Sequence, residues 1–152
     1  MIMRKKKGII RHETLKPLSR HHMVALHTAV KLKRAGKEES RLTVEEIIND
    51  VREFWIPDGI EHFREEEKIL LVTYAKHVSI DQPIIHEMLM EHIQIQAMIE
   101  MLLDMEEADI EHMHKLGHLL ESHVRKEERI IFPMIEKDLP EEVLVEMAPY
   151  LA

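Results

Sequence analysis

Apolar residues recur every three or four positions along this chain, in four long runs separated by short polar links, so the pattern predicts helices rather than strands. The first run, about Leu15 to Lys33, puts Leu18, His22, Ala25, Leu26, Ala29 and Leu32 on one stripe. A polar stretch from Arg34 to Leu42, containing Gly36, ends it. Thr43 and Glu46 have the spacing of a capping box, in which each side chain satisfies the other residue's backbone N–H. Val44, Ile47, Ile48, Val51, Phe54 and Trp55 then carry the second helix. Pro57, Asp58 and Gly59 interrupt it, but the apolar pattern resumes in phase, which predicts a kink rather than a break, with an end near Lys76. Ser79, Gln82 and Pro83 supply the start of a third helix, about Ile80 to Leu103. After the acidic link Asp104 to Glu107, a fourth spans about Ala108 to Lys137, and Leu139 to Glu142 opens a short last helix with Val143, Leu144 and Met147. Short links imply antiparallel neighbours. The predicted architecture is all-α: an up-down antiparallel four-helix bundle with a short C-terminal helix over residues 15–152, preceded by an N-terminal extension, residues 1–14.

Composition narrows this picture. A chain of 152 residues, 45% hydrophobic, can bury one core and predicts one domain. There is no cysteine, so disulfides and thiolate chemistry are excluded, and any metal must be held by histidine and carboxylate. A net charge of −8 argues against nucleic acid as a partner, because phosphate binding needs a basic surface. Arg4 to Lys7 is the only basic run, and only Gly8, Ile9 and Ile10 follow it, too few for a signal peptide. With no segment near the roughly 20 apolar residues that span a bilayer, no membrane association is expected and the expected compartment is the cytoplasm.

The candidate chemistry lies in a repeat. His62 to Leu70 reads HFREEEKIL and His123 to Ile131 reads HVRKEERII, the second starting 61 positions after the first. Each holds a His and, four residues on, a Glu: His62 with Glu66, His123 with Glu127. Four residues turn a helix by about 400° and advance it about 6 Å, so imidazole and carboxylate share a face. Two such helices facing each other would offer a duplicated set of nitrogen and oxygen ligands, which suits a pair of metal ions.

Phase sorts the twelve histidines. His22 is in register with Leu18 and Ala25, and His92 with Ile85, Met88, Leu89, Ile95 and Ile99, so both point inward. His123 aligns with Leu116, Leu119, Leu120, Glu127 and Ile130. His21 falls at the edge, rotated by about 100°. His86, His114 and His118 fall off the inward faces, and His112 lies about 16 Å along its helix from His123. Trp55, seven residues before His62 and in phase with it, is expected to wall the site. Each helix thus contributes one inward histidine. A lone inward histidine is ordinarily a hydrogen-bonded core residue, but two carboxylates facing a core are costly unless paired or metal-bound.

These residues resemble the hemerythrin-like proteins with the HHE cation-binding domain, over roughly Leu15 to Lys137. The carriers of the resemblance are the doubled His-x-x-x-Glu with its trailing Glu, ending at Phe132-Pro133, the string Leu18-Ser19-Arg20-His21-His22 with Ala25-Leu26, and Glu91-His92. It implies a non-haem di-iron centre, two Fe ions with an oxo or hydroxo bridge, held by His22, His62, Glu66, His92, His123 and Glu127, with both Glu residues bridging. Oxygen-carrying hemerythrins place a second His one turn from the first on helix three and use His-x4-Asp on helix four. Here the turn-neighbours of His92 are Met88 and Gln96, and helix four has His-x3-Glu. The chain is similar instead to the bacterial, six-ligand type.

Two function classes follow from this resemblance. In one, the site binds or senses dioxygen, nitric oxide or iron. In the other, it is the centre of an enzyme for peroxide or nitric-oxide reduction, or for iron-centre repair. The sequence has no nucleotide motif and no electron-transfer cysteine, so the binding reading is preferred, with dioxygen, nitric oxide or peroxide as the small-molecule ligand. A structural bundle with incidental metal is the third reading.

Overall fold

A computed structural model describes residues 10–152; the basic run Arg4 to Lys7 and the rest of residues 1–9 lie outside the described residues. The described residues form helices joined by turns and short links, with no strand. Helix α1 spans Lys16–Arg34. The second rod is segmented into α2 (Val44–Phe54), α3 (Ile60–Glu65) and α4 (Leu71–Ala75). Helix α5 spans Pro83–Asp104, the fourth rod comprises α6 (Ile110–Lys126) and α7 (Phe132–Asp138), and α8 (Glu141–Met147) closes the chain. α1 packs against α2 and α6, and α5 against the same two, so the rods run up-down-up-down in a four-helix bundle.

Local chemistry sets the ends. The capping box forms: Glu46 N–H donates to Thr43 Oγ1 at 3.1 Å and Thr43 N–H to Glu46 Oε1 at 2.8 Å. α1 gives way to a turn in which Gly36 takes φ +74°, the left-handed region open to glycine. α5 begins three residues later than the pattern predicts, because Pro83 occupies its first turn, where a missing N–H costs nothing, and Gln82 stays extended. The kink at Pro57 is real: Ile56 leaves helical geometry (φ −112°, ψ 113°) and the rod then continues.

Two five-residue π-helical turns interrupt the second and fourth rods, Glu66–Leu70 and Glu127–Ile131. Each starts at the Glu of a repeat, whose carbonyl accepts from the N–H five residues on, of Leu71 or Phe132. The wider turn holds one more residue than an α-turn, so everything after it is rotated relative to a regular helix. This corrects the expectation for Ile130, which is 51% exposed, while Ile131 is wholly buried in its place.

α1 and α6 are packed tightly at Gly117. A Cβ there would sit 2.9 Å from the Ala29 carbonyl oxygen and 2.8 Å from Lys33 Cγ.

The core is split into two apolar blocks. One gathers Leu18, Leu70, Met88 and Ile131 with Leu144 and Met147 of α8; the other gathers Ala25, Trp55, Ile95 and Val124 and runs to the opposite end. On every rod the crossover between blocks is made by a candidate ligand: His22 on α1, His62 and Glu66 on the second rod, His92 on α5, His123 and Glu127 on the fourth. The site is therefore a polar layer buried between two greasy ones.

Candidate metal centre

All six sequence-predicted ligands meet in this layer, each no more than 6% exposed. They form two overlapping sets, His22, His62, Glu66 and Glu127 in one and His92, His123, Glu66 and Glu127 in the other, with the ligand atoms of each set within 4.8 Å of one another. Both carboxylates belong to both sets. Glu66 Oε2 lies 2.9 Å from His62 Nε2 and 3.4 Å from His22 Nε2, while its Oε1 lies 3.0 Å from His92 Nε2. Glu127 Oε1 lies 2.8 Å from His22 Nε2, and its Oε2 lies 3.1 Å from His92 Nε2 and 2.8 Å from His123 Nε2. Each Glu therefore turns one oxygen to each histidine pair.

Nearness here is mostly not hydrogen bonding. His22 Nε2, both nitrogens of His62, both oxygens of Glu66, His123 Nε2 and Glu127 Oε1 are buried without a hydrogen-bond partner. An unsatisfied buried polar group costs about 1–3 kcal/mol, so a layer that holds seven of them is costly unless something joins them. Charge attraction among them offsets part of that cost. A donor set of four imidazole nitrogens and two carboxylates, lone pairs converging in a water-poor layer, fits divalent cations of the iron, zinc or manganese kind.

The opposite nitrogens are tied down. His22 Nδ1 lies 2.6 Å from Glu128 Oε2, His92 Nδ1 2.8 Å from Glu67 Oε2 and His123 Nδ1 2.8 Å from Glu91 Oε1. An ionised carboxylate only accepts, so Nδ1 donates and Nε2 is left to face the interior. The sequence reading did not assign roles to these three Glu residues. Their signal was present, since Glu67 and Glu128 are the trailing Glu of each repeat and Glu91 stands beside His92. Arg11 secures Glu128 further, donating to its backbone oxygen at 2.6 Å and to Oε1 at 3.1 Å. Lys126 lies 2.5 Å from Glu91 Oε2.

Electrostatics follow this wiring. Burial alone would lower the pKa of His92, but Glu127, Glu66 and Glu67 override it and push it up to about 12. His123 is raised to about 9 against its burial, by the charge of nearby Glu127 first and by the hydrogen bond to Glu91. His22 is likewise held well above its ordinary value, burial being outweighed by Glu127, Glu128 and Glu66. Burial and then the Glu127 charge oppose ionisation of Glu66, yet His62 and His22 bring it down to about 2. Glu127 is held well below the carboxylate range by His123, His22 and His92, again against burial. These shifts all favour protonated histidines and ionised carboxylates in the layer.

The remaining expectations divide. His86 is exposed and lies 3.1 Å from Asp81, and His118 is exposed. His114, off the inward face, is only partly exposed: its Nε2 lies 2.8 Å from the Ala35 carbonyl oxygen, and His112 Nε2 lies 2.8 Å from that of Met98. His21 is half-buried, its ring centroid 5.4 Å from that of His62. Trp55 does not wall the site: it packs edge-on against Phe63 at 5.5 Å, and Phe63 is the wall, stacked on His92 at 3.9 Å. A cavity of about 510 Å³ between α1 and the second rod reaches His22, His62 and His123, with Phe54 and Phe63 on its side. No helix among the described residues is long and apolar enough to cross a membrane.

Neither the curated proteins nor the solved structures contain a match to this chain. The family model of the hemerythrin HHE cation binding domain matches residues 14–135, a span that opens just before α1 and holds all six residues of the buried layer. By that match, the chain belongs to the hemerythrin family of HHE cation-binding domains.

Proposed function

We propose that this chain holds two irons, one between His22 and His62 and one between His92 and His123, with Glu66 and Glu127 bridging them, and that the centre binds or senses dioxygen, nitric oxide or iron. The observation that carries this reading is the sharing of both carboxylates by both histidine pairs. A bound iron pair supplies redox-active ions able to take up a small ligand. The chain's own part is to orient and to exclude. Glu67, Glu91 and Glu128 hold three imidazoles with Nε2 inward, the two apolar blocks flank the layer, and Phe63 covers His92.

Turnover is the second reading, as peroxide or nitric-oxide reduction or iron-centre repair. The observation that favours it is the cavity, whose 510 Å³ lies within the roughly 300–1,000 Å³ range of small-molecule sites and exceeds what a diatomic gas needs. The test is elemental analysis of untagged protein after anaerobic reconstitution with ferrous iron, followed by titration with dioxygen and with nitric oxide. About two irons per chain and a stoichiometric spectral change without turnover support the binding reading. Catalytic consumption of peroxide or nitric oxide favours the enzyme, and less than one metal per chain defeats both.

A further inference from the structure

The four inward histidines are not held alike. His22, His92 and His123 each have a carboxylate on Nδ1, at 2.6 to 2.8 Å. His62 has none: its Nδ1 is buried and has no hydrogen-bond partner among the described residues. The repeat indicates where that partner would stand. It maps His123 onto His62 and Glu128 onto Glu67; because Glu67 holds His92 and Glu128 holds His22, it follows that Glu91, which precedes His92, corresponds to His21, which precedes His22. The place that Glu91 fills beside His123 is thus filled beside His62 by His21, a ring 5.4 Å away rather than a carboxylate. The next residue in that wiring differs too. Lys126, which holds Glu91, corresponds to Glu65, whose Oε1 accepts from Ala152 N–H at 3.1 Å. The cavity opens at this same corner, with His21, His22, His62 and Asp58 in its lining; of the other pair it reaches His123 but not His92.

A carboxylate on the non-ligating nitrogen orients an imidazole and strengthens it as a ligand, and losing one typically weakens metal binding 10–100-fold. We propose that the two cation positions are unequal: the one between His92 and His123 stays filled, and the one between His22 and His62 is the exchangeable position, loaded and emptied through the cavity, with the residue at position 21 setting its affinity. This rests on the reading that two cations are held. The class of ligand is a divalent first-row metal ion.

The test uses protein loaded with cobalt(II) and challenged with excess EDTA, with release followed by the visible absorption of the bound cobalt. Wild-type protein should lose its two ions in two phases, separated at least about tenfold in rate. Glu91→Gln, which removes the anchor of His123, should speed the slow phase. Glu128→Gln, which removes the anchor of His22, should speed only the fast one. His21→Glu, which supplies the missing carboxylate, should slow the fast phase towards the slow one, with circular dichroism reporting that the helices persist. If His21→Glu fails to fold, the two Gln variants still decide. Release of two cobalt ions in a single phase, or a Glu91→Gln effect on the fast phase alone, overturns the inequality and leaves the two-cation reading standing. Uptake of less than one cobalt per chain removes both.

Discussion

Glu67 and Glu128 stand at the same place in the two repeats, and each reaches the Nδ1 of a histidine on a different helix, His92 at 2.8 Å and His22 at 2.6 Å. One nine-residue segment therefore supplies three things: an inward His, a shared Glu and an outer carboxylate for its neighbour's His. Used twice, it builds most of the centre; α1 adds one inward His, and α5 adds one inward His and the Glu91 that precedes it. The π-helical turn that starts at Glu66 and at Glu127 recurs at the same place in both repeats.

Shared carboxylates make a sharp prediction. Glu66→Ala or Glu127→Ala should lower metal content from about two to about one or fewer and abolish magnetic coupling between the ions, because either change removes an oxygen from both positions. His86→Ala should leave both quantities unchanged, its exposed ring meeting Asp81 on the surface. Metal analysis with electron paramagnetic resonance checks this. A His86 variant as damaging as the Glu66 one would contradict the assignment of inward faces.

The metal-free protein should have a stability optimum on the acid side of neutral. His123, raised to about 9, and His92, raised to about 12, keep protons in the folded state that the unfolded chain releases near 6.5. Their contribution is complete below that value and is lost as pH rises through 9 and then 12. Glu66, lowered to about 2, contributes above its ordinary 4.5 and loses that contribution as pH falls towards 2. Thermal melts of chelator-treated protein should therefore peak between these flanks and decline by pH 9. Loaded protein should resist the alkaline decline, because cations displace those protons. A metal-free melting temperature that climbs from pH 6 to pH 9 would contradict the ion pairing described here.

Gly117→Ala should destabilise the fold by about 1–3 kcal/mol, the usual cost of overpacking. The sign is informative, since Ala in place of Gly at an unencumbered helix position stabilises by about 1 kcal/mol. Here the new methyl meets the Ala29 carbonyl oxygen at 2.9 Å, so α1 and α6 must part. Urea denaturation reads the difference directly, and a gain in stability would mean that the two helices separate freely.

Oxygen exposure of the ferrous protein should produce a change that vacuum does not reverse. Met88, one turn before His92, is wholly buried among apolar side chains, and Gln96, one turn after it, is exposed and donates to Glu100 at 3.1 Å. Neither adds an imidazole to the four already present. Repeated oxygenation and evacuation, followed spectroscopically, checks this, and full recovery over many cycles would restore a carrier role.

Much of this molecule was legible in one dimension, because helical periodicity ties sequence position to direction. Leu18, His22, Ala25 and Ala29 are inward by phase alone, the Thr43–Glu46 box is a local hydrogen-bond arrangement, and a His four residues before a Glu must share its face. What needed the fold were relationships between rods and departures from regular winding. The π-helical turns exchanged Ile130 for Ile131 in the core, because one extra residue in a turn rotates all that follows, and nothing in the local periodicity announces it. Glu91, Glu67 and Glu128 found their histidines only once helix neighbours and depths were set, as did Phe63 against His92. The bare Nδ1 of His62 is a tertiary fact of the same kind: the repeat makes two halves nearly equal, and only packing decided that His21 would stand where the other half has a carboxylate.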